Sequence, residues 1–467
     1  MHSKIKKGWI VVWLLVGLIS LALVPVVRWH TQAPLIHSTE GFHNLRAAEL
    51  LNEPSSLGFI IGRTNPNLYH YALSLLLRVF DNINAVVWFH VVLGLVLVGS
   101  AWYTLMKLNL SPKLVSISLG LLIVSPSFVY LFTQPIPAGF GLAMAALGLA
   151  LLLSPNIEKL WCRLIAALVL ILSIGSGLLF LVSALIIVLG VLNLRKFKGF
   201  VATVMASATI IFYLLGYHRA IHLALSHPAA IINAIVFDFG GRSGFGFGTL
   251  VLGVIGVLFT WKSHKALTTV YLILIAAVLG LFMLNDLSAL SLFSVLYVFA
   301  GYMVIKLLQH KWVLPALKLT TLILVCFSFG FSWMNSITIG IAASPTPSEG
   351  QAIEWLGNVK GEGSVLSAPT YAPIIQALAH RECFPDPWLN SNTAFNRTLS
   401  LLYSRNLKHT KQTLKQYNIS YILITKKMLS GGVWNSADEG LLFLLRNNET
   451  FKRVYEVNGN QVWQVLS

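Results

Sequence analysis

Ser38-Thr39-Glu40-Gly41-Phe42-His43-Asn44-Leu45-Arg46-Ala47-Ala48-Glu49-Leu50-Leu51 reads as a short helix with an acid in its first turn. Ser38 or Thr39 supplies an N-cap oxygen, and Glu40 falls where a negative charge opposes the helix dipole. At i, i+3 and i+4, Glu40, His43 and Asn44 share one face. Phe42, Leu45, and Ala48 or Glu49 lie round the other side, as on a helix resting on a membrane surface. Two readings of Glu40 follow. It is a carboxylate held over a membrane-facing cleft, or it only compensates the dipole, an effect worth under about 1 kcal/mol.

Everything around this stretch is membrane. Of 467 residues, 56% are hydrophobic and 10% charged, with mean hydropathy +0.75. An average soluble domain is about 25% charged, so a cytosolic enzyme, a disordered protein and an ordinary nucleic-acid binder are all excluded. The formal charge of +17 does not reverse this, because the basic residues gather at the edges of apolar runs. A span needs about 20 mostly apolar residues. The first is Trp9–Val27, preceded by Lys4, Lys6 and Lys7; Pro25-Val26-Val27-Arg28 offers no small-residue cleavage site, which argues against a signal peptide. Further runs lie near 84–106, 113–133, 136–154, 159–175, 177–193, 198–216, 246–261, 267–284, 287–308 and 316–341, giving about 11 transmembrane helices.

Charge tests the parity. With the N-terminus inside, the inner segments hold fifteen Lys or Arg against one acid, Glu158. The outer segments hold Arg28, Arg46, Arg63, Arg78, Arg219 and Arg242, balanced by acids that include Glu40, Glu49 and Asp238. This asymmetry is the positive-inside pattern. It predicts a cell-membrane protein with a cytoplasmic N-terminus and an extracytoplasmic C-terminal part.

Two domains are expected: a transmembrane domain over 1–341 with a long first outer loop, 28–83, and an extracytoplasmic α/β domain over 342–467. The second carries twelve basic and nine acidic residues and no spanning run. Patterning places helices near 347–358, 371–379, 393–404, 408–417 and 439–446. Strands are predicted at Ser364–Leu366 and Tyr421–Thr425, with a hairpin, Phe451–Val457 and Gln461–Leu466, around Asn458-Gly459. Three sequons, at Asn396, Asn418 and Asn448, add weak support for an outside location.

A second long outer segment, His218–Phe247, carries Phe237-Asp238-Phe239-Gly240-Gly241-Arg242-Ser243-Gly244-Phe245-Gly246. It lacks the Gly-Lys-Ser/Thr ending of a P-loop, so its glycines are read as a backbone reversal at the bilayer surface. Asp238 is a second candidate carboxylate. Arg219 and Arg242 are candidates for holding a lipid phosphate, since guanidinium matches phosphate oxygens, with interface snorkelling as the alternative. His218 and His222 have the i, i+4 spacing of metal ligands, yet interfacial histidines are commoner than zinc sites. Gln134, in the short segment 133–137, is a weaker candidate for a ligand hydrogen bond. The three cysteines, Cys162, Cys326 and Cys383, form no CxxC motif and no disulfide framework.

The layout resembles the GT-C class of membrane glycosyltransferases, the superfamily of protein O-mannosyltransferases and oligosaccharyltransferase catalytic subunits. The resemblance rests on a lone first span and a long outer loop whose start, Thr39–Glu49, is similar to the family's acid-plus-helix motif. Asn65-Pro66-Asn67-Leu68-Tyr69 and the helix after it, many spans and an outer α/β domain complete it. Two features depart from the family. The paired acids of the loop are reduced to Thr39-Glu40, and the Trp-Trp-Asp-Tyr-Gly signature is absent, Asp386-Pro387-Trp388 not being equivalent.

The resemblance implies transfer of a sugar from a polyprenyl-phosphate-linked donor to an acceptor hydroxyl on a glycan or protein, at the outer face of the membrane. Glu40, or Asp238 in its place, would be the base. His43, Asn44 and Arg46 would contact substrate, and Arg219 or Arg242 the donor phosphate. A divalent metal ion beside the leaving phosphate is implied as an option, with no ligand set identified. The competing classes are a lipid-linked sugar flippase or transporter and a non-catalytic scaffold on the same fold. A transporter usually places ionisable residues within its spans, and here they gather in the outer loops.

Overall fold

The computed structural model describes residues 2–52, 67–108, 110–154, 159–176, 236–239, 244–260, 295–359, 361, 363–384, 392–436 and 438–466. The chain divides into two compact units. One is Met1–Pro25 with Asn67–Ile341, and the other is Val26–Pro66 with Ala342–Ser467.

In the first unit, helices follow the apolar runs. His2–His30 contains the first candidate span, Gly8–His30, and Ile83–Lys107 and Pro315–Ala342 are also long and apolar enough to cross a membrane. The run at 113–133 is not one helix. It breaks into Pro112–Ile123 and Pro126–Thr133, bent by 60°. Pro126 has no N–H to continue the ladder, and Ser125 Oγ instead caps the second helix by accepting from Phe128 N (3.2 Å). Counting that pair as one gives up to four spans among the described residues. Shorter apolar helices are Leu68–Phe80, Pro137–Leu152, Leu160–Gly175, Phe247–Thr260 and Leu296–Gln309. The runs at 177–193, 198–216 and 267–284 lie outside the described residues, so about 11 spans remains an expectation.

Close helix packing accounts for several small residues in these runs. Phe247–Thr260 packs on Leu296–Gln309, where a Cβ at Gly256 would collide with the Phe299 carbonyl. Several buried polar groups inside this unit find partners, although Thr104 Oγ1 and Ser118 Oγ have none among the described residues. Val86 O accepts from His90 Nδ1 (2.8 Å), which leaves Nε2 to accept from Tyr69 Oη (3.1 Å). Trp333 Nε1 donates to Ser20 Oγ (2.9 Å), and that hydroxyl donates to Ile123 O (3.2 Å).

The second unit is an α/β fold around a five-stranded sheet of order β2-β1-β3-β5-β4. The strands are β1 Ser364–Leu366, β2 Cys383–Phe384, β3 Ile419–Ile424, β4 Phe451–Val457 and β5 Asn460–Val465. β1 pairs parallel with β2 and β3, while β5 runs antiparallel to β3 and β4. Asn458 (φ 47°) and Gly459 (φ 84°) supply the two left-handed residues of the tight β4–β5 turn. Val365, Leu366, Ile422, Leu423 and Ile424 form the sheet's core, covered by Ile353 and Leu356 of the helix Pro347–Asn358 and by Ile375 of Ala372–Ala379.

Candidate active site

The acid-bearing helix of the first outer loop forms as its sequence predicts, over Thr39–Leu50. Ser38 is the N-cap, its Oγ accepting from Gly41 N (2.9 Å). The apolar side, however, does not face lipid. Phe42, Leu45 and Ala48 are fully buried, and the helix packs on Ala372–Ala379 of the same unit. Amphipathic spacing shows that one side must leave water without choosing between lipid and protein, and here protein takes it. Thr39 Oγ1 donates to Thr370 O (3.4 Å), adding a polar tie at the helix start.

The shared face slopes from solvent into protein. Glu40 is exposed in the first turn, His43 is half-buried and Asn44 is buried. Burial holds the His43 imidazole down to about 4, so it is neutral at physiological pH. Arg46 forms an ion pair with Glu49 (3.2 Å), and Glu49 Oε2 also lies 3.9 Å from His380 Nδ1.

The loop's entry into this helix is fixed by a group that the sequence reading counted only as an outer-loop charge. Arg28 is fully buried and donates to three carbonyls: Pro34 O from Nε (2.7 Å), Ala343 O from Nη1 (2.9 Å) and Pro345 O from Nη2 (2.7 Å). The Glu349 carboxylate acts on it electrostatically. Glu349 is itself buried, with Oε1 accepting from Tyr371 Oη (2.6 Å) and Oε2 from Thr346 N (2.7 Å). Burial, with the neighbouring Glu349 charge next, pushes the Tyr371 phenol well above its usual range. His37 sits beside this knot. Burial, and then the Arg28 charge, hold it down to about 3, while its Nδ1 contact with Leu35 O (3.2 Å) opposes the shift. Arg28 and Glu349 are 321 positions apart, yet Thr346-x-x-Glu349 is a legible capping box behind Pro347 at the first helical position.

The second candidate acid lies in the first unit. Asp238 sits in a one-turn helix, Phe237–Phe239, and Phe237 N donates to Phe245 O (2.9 Å), beside a parallel bridge between Val236 and Phe245. Its carboxylate is well occupied. Ser332 Oγ lies 3.0 and 2.9 Å from the two oxygens, and Phe247 N donates to Oδ2 (2.7 Å), capping Phe247–Thr260. Gly246 packs tightly here, since an added Cβ would come within 2.6 Å of Ser332 Oγ. Gln134 is fully buried and donates to Thr133 O (2.7 Å).

Arg219, Arg242, and the histidines at 218 and 222 lie outside the described residues. Among the described residues no three His, Cys, Asp or Glu side chains gather as a metal ion needs. The described residues therefore do not fit the implied divalent ion, and no step below passes through one.

No known family profile matches the chain, and no curated protein matches it in sequence. Solved structures do. The oligosaccharyltransferase AglB of Archaeoglobus fulgidus, in complex with an inhibitory peptide and a dolichol-phosphate, aligns with TM-score 0.61 at 12% identity, over 100% of this chain and 74% of that one. The same enzyme tethered to an acceptor peptide containing the NVT sequon gives 0.56 at 12% identity, over 99% and 74%. Its complex with zinc and sulfate gives 0.59 at 13% identity, over 98% and 73%. At such identity the likeness is one of fold, and it bears out the resemblance read from the sequence: the chain shares the fold of an archaeal oligosaccharyltransferase.

Proposed function

We propose that the chain is a membrane glycosyltransferase that moves a sugar from a polyprenyl-phosphate-linked donor to an acceptor hydroxyl at the outer face of the membrane. The observation that carries this reading is a fold match along the whole chain to an enzyme solved with a dolichol-phosphate and a peptide. Glu40 is the general base. Its carboxylate takes the acceptor's hydroxyl proton as that oxygen bonds to the anomeric carbon, and the anomeric carbon–phosphate oxygen bond breaks, releasing the polyprenyl phosphate. Exposure favours Glu40 for this role, and Asp238, already occupied by Ser332 and Phe247 N, serves as its control. His43 and Asn44 extend the same face toward the acceptor, Arg46 steadies the helix through Glu49, and Arg219 or Arg242 holds the donor phosphate.

Glu40→Gln tests the assignment. Gln keeps the size but accepts no proton at neutral pH, so transfer by purified protein from a lipid-linked sugar should fall roughly 100- to 10,000-fold. The variant should melt near the parent, because an exposed first-turn acid contributes under about 1 kcal/mol. Full turnover in Glu40→Gln refutes the role.

A further inference from the structure

The first unit contains a cavity of about 820 Å³, a size typical of ligand pockets, that plays no part in the proposed sugar transfer. Trp9 and Trp13 wall it on the first helix, and Trp102 and Met106 close it at the end of Ile83–Lys107. The helix Pro112–Ile123 forms its floor from Lys113 to Leu121, and Val124 lies just beyond. This wall is built rather than collapsed. Trp13 Nε1 donates to Ser116 Oγ (2.8 Å), which fixes the indole, and Gly120 lets the ring approach so closely that a Cβ there would sit 2.8 Å from it.

Three observations identify an occupant. Lys113 to Val124 is eleven helical steps, about 16 Å, close to one leaflet's half of the ~30 Å hydrocarbon core. The lining is nearly all apolar, with exposed Lys113 among its few polar members. Finally, the sequence around it is basic without compensation: 1–25, 101–124 and 301–330 hold Lys4, Lys6, Lys7, Lys107, Lys113, Lys306, Lys311 and Lys318, and no Asp or Glu. A long apolar slot lined by Lys113, within stretches that carry lysines and no acid, selects an amphiphile with an anionic head.

From this we infer that the cavity is a binding site for an anionic phospholipid of the leaflet at this end of the helices. Its acyl chain lies along the Trp13–Gly120 wall and its phosphate at Lys113. The site is independent of the sugar-transfer reading.

Native mass spectrometry and tryptophan quenching of the detergent-purified protein test it, using dibrominated phosphatidylglycerol and phosphatidylcholine. Phosphatidylglycerol should be retained at one molecule per chain, with saturable quenching that phosphatidylcholine does not match. Lys113→Gln alters an exposed side chain, so folding is not at stake; it should weaken phosphatidylglycerol binding about fivefold and leave phosphatidylcholine unchanged. Ile117→Trp fills the slot and should abolish the saturable component. Equal binding of the two lipids, or unchanged affinity in Lys113→Gln, would overturn the inference. So would displacement of the bound phospholipid by stoichiometric undecaprenyl phosphate, which would give the cavity to a polyprenyl carrier.

Discussion

Glu349→Gln asks how much of the second unit hangs on one buried charge. The carboxylate accepts from Tyr371 Oη and Thr346 N and acts electrostatically on the Arg28 guanidinium. A Gln oxygen can satisfy one of those donors, while its amide presents hydrogens to the other. Tyr371 can rotate its hydroxyl to accept, but Thr346 N cannot. Arg28 keeps its three carbonyls and loses its counter-charge. Removing one partner of a buried pair costs about 3–5 kcal/mol, and because the carbonyls remain, about 3 kcal/mol is expected. For a unit of roughly 170 residues this corresponds to a fall of about 6–12 °C in melting temperature. The assay is tryptophan fluorescence during a thermal ramp, since Trp355, Trp434 and Trp463 all report on this unit. Arg28→Met should cost as much, and the double variant Arg28→Met/Glu349→Gln should cost less than the two single losses added together. A melting temperature within 2 °C of the parent for Glu349→Gln, or strict additivity in the double variant, would refute the idea that these groups act as a pair.

Three further outcomes are expected. Asp238→Asn should weaken the cap on Phe247–Thr260 by about 1 kcal/mol, read as a small drop in melting temperature, and should leave transfer intact; selective loss of turnover with unchanged melting would move the base to this loop. The second unit should lose stability in acid, because neutral His43 and His37 must take up protons on unfolding. Both folded values lie below the usual 6.5, so the stabilisation is complete above pH 6.5, fades toward about 4 for His43 and continues toward about 3 for His37; a pH series of melting temperatures should show this, and His43→Gln should flatten its upper part. The extracytoplasmic placement of 342–467 is tested by Ser400→Cys in a cysteine-free background. Ser400 is exposed whereas native Cys383 is buried, so a membrane-impermeant thiol reagent should label the variant in intact cells, and labelling only after lysis would overturn the topology.

Legibility followed the range of the interactions. Ser364–Leu366 and Phe451–Val457 were readable to the residue because apolar character and the Asn458-Gly459 turn are local signals. The loop helix was equally plain from its cap and its acid. Its partner was not, since Phe42 and Leu45 advertise only that they leave water. The two-residue strand Cys383–Phe384 has too little pattern to register, and its parallel pairing to β1 exists only once the chain is folded. The break at Ser125-Pro126 carried a local signal, a cap residue before proline, that an apolar-run criterion ignores. Arg28 was the deepest omission. An arginine just past an apolar run is ordinarily a snorkelling residue, and only the fold brings Ala343 O and Pro345 O to it.

That omission bears directly on the proposed catalytic role of Glu40. A general base must be held on a rigid element at a fixed place, because catalytic geometry tolerates displacements of only about half an ångström. A loop as long as 28–83 would not ordinarily supply that. Here the segment entering the Glu40 helix is fixed at one end by a guanidinium with three carbonyl acceptors, and at the helix itself by fully buried Phe42 and Leu45, each worth about 1.5–3 kcal/mol of burial. The acid itself lies exposed in the first turn. Asp238 is held by Ser332 and a helix N-terminus, Glu349 by Tyr371 and Thr346, and Glu49 by Arg46. Their removal should be felt mainly in folding, whereas on the proposed reading removal of Glu40 should be felt mainly in turnover. That opposite pairing of melting temperature and rate distinguishes a base on a scaffold from one more structural charge.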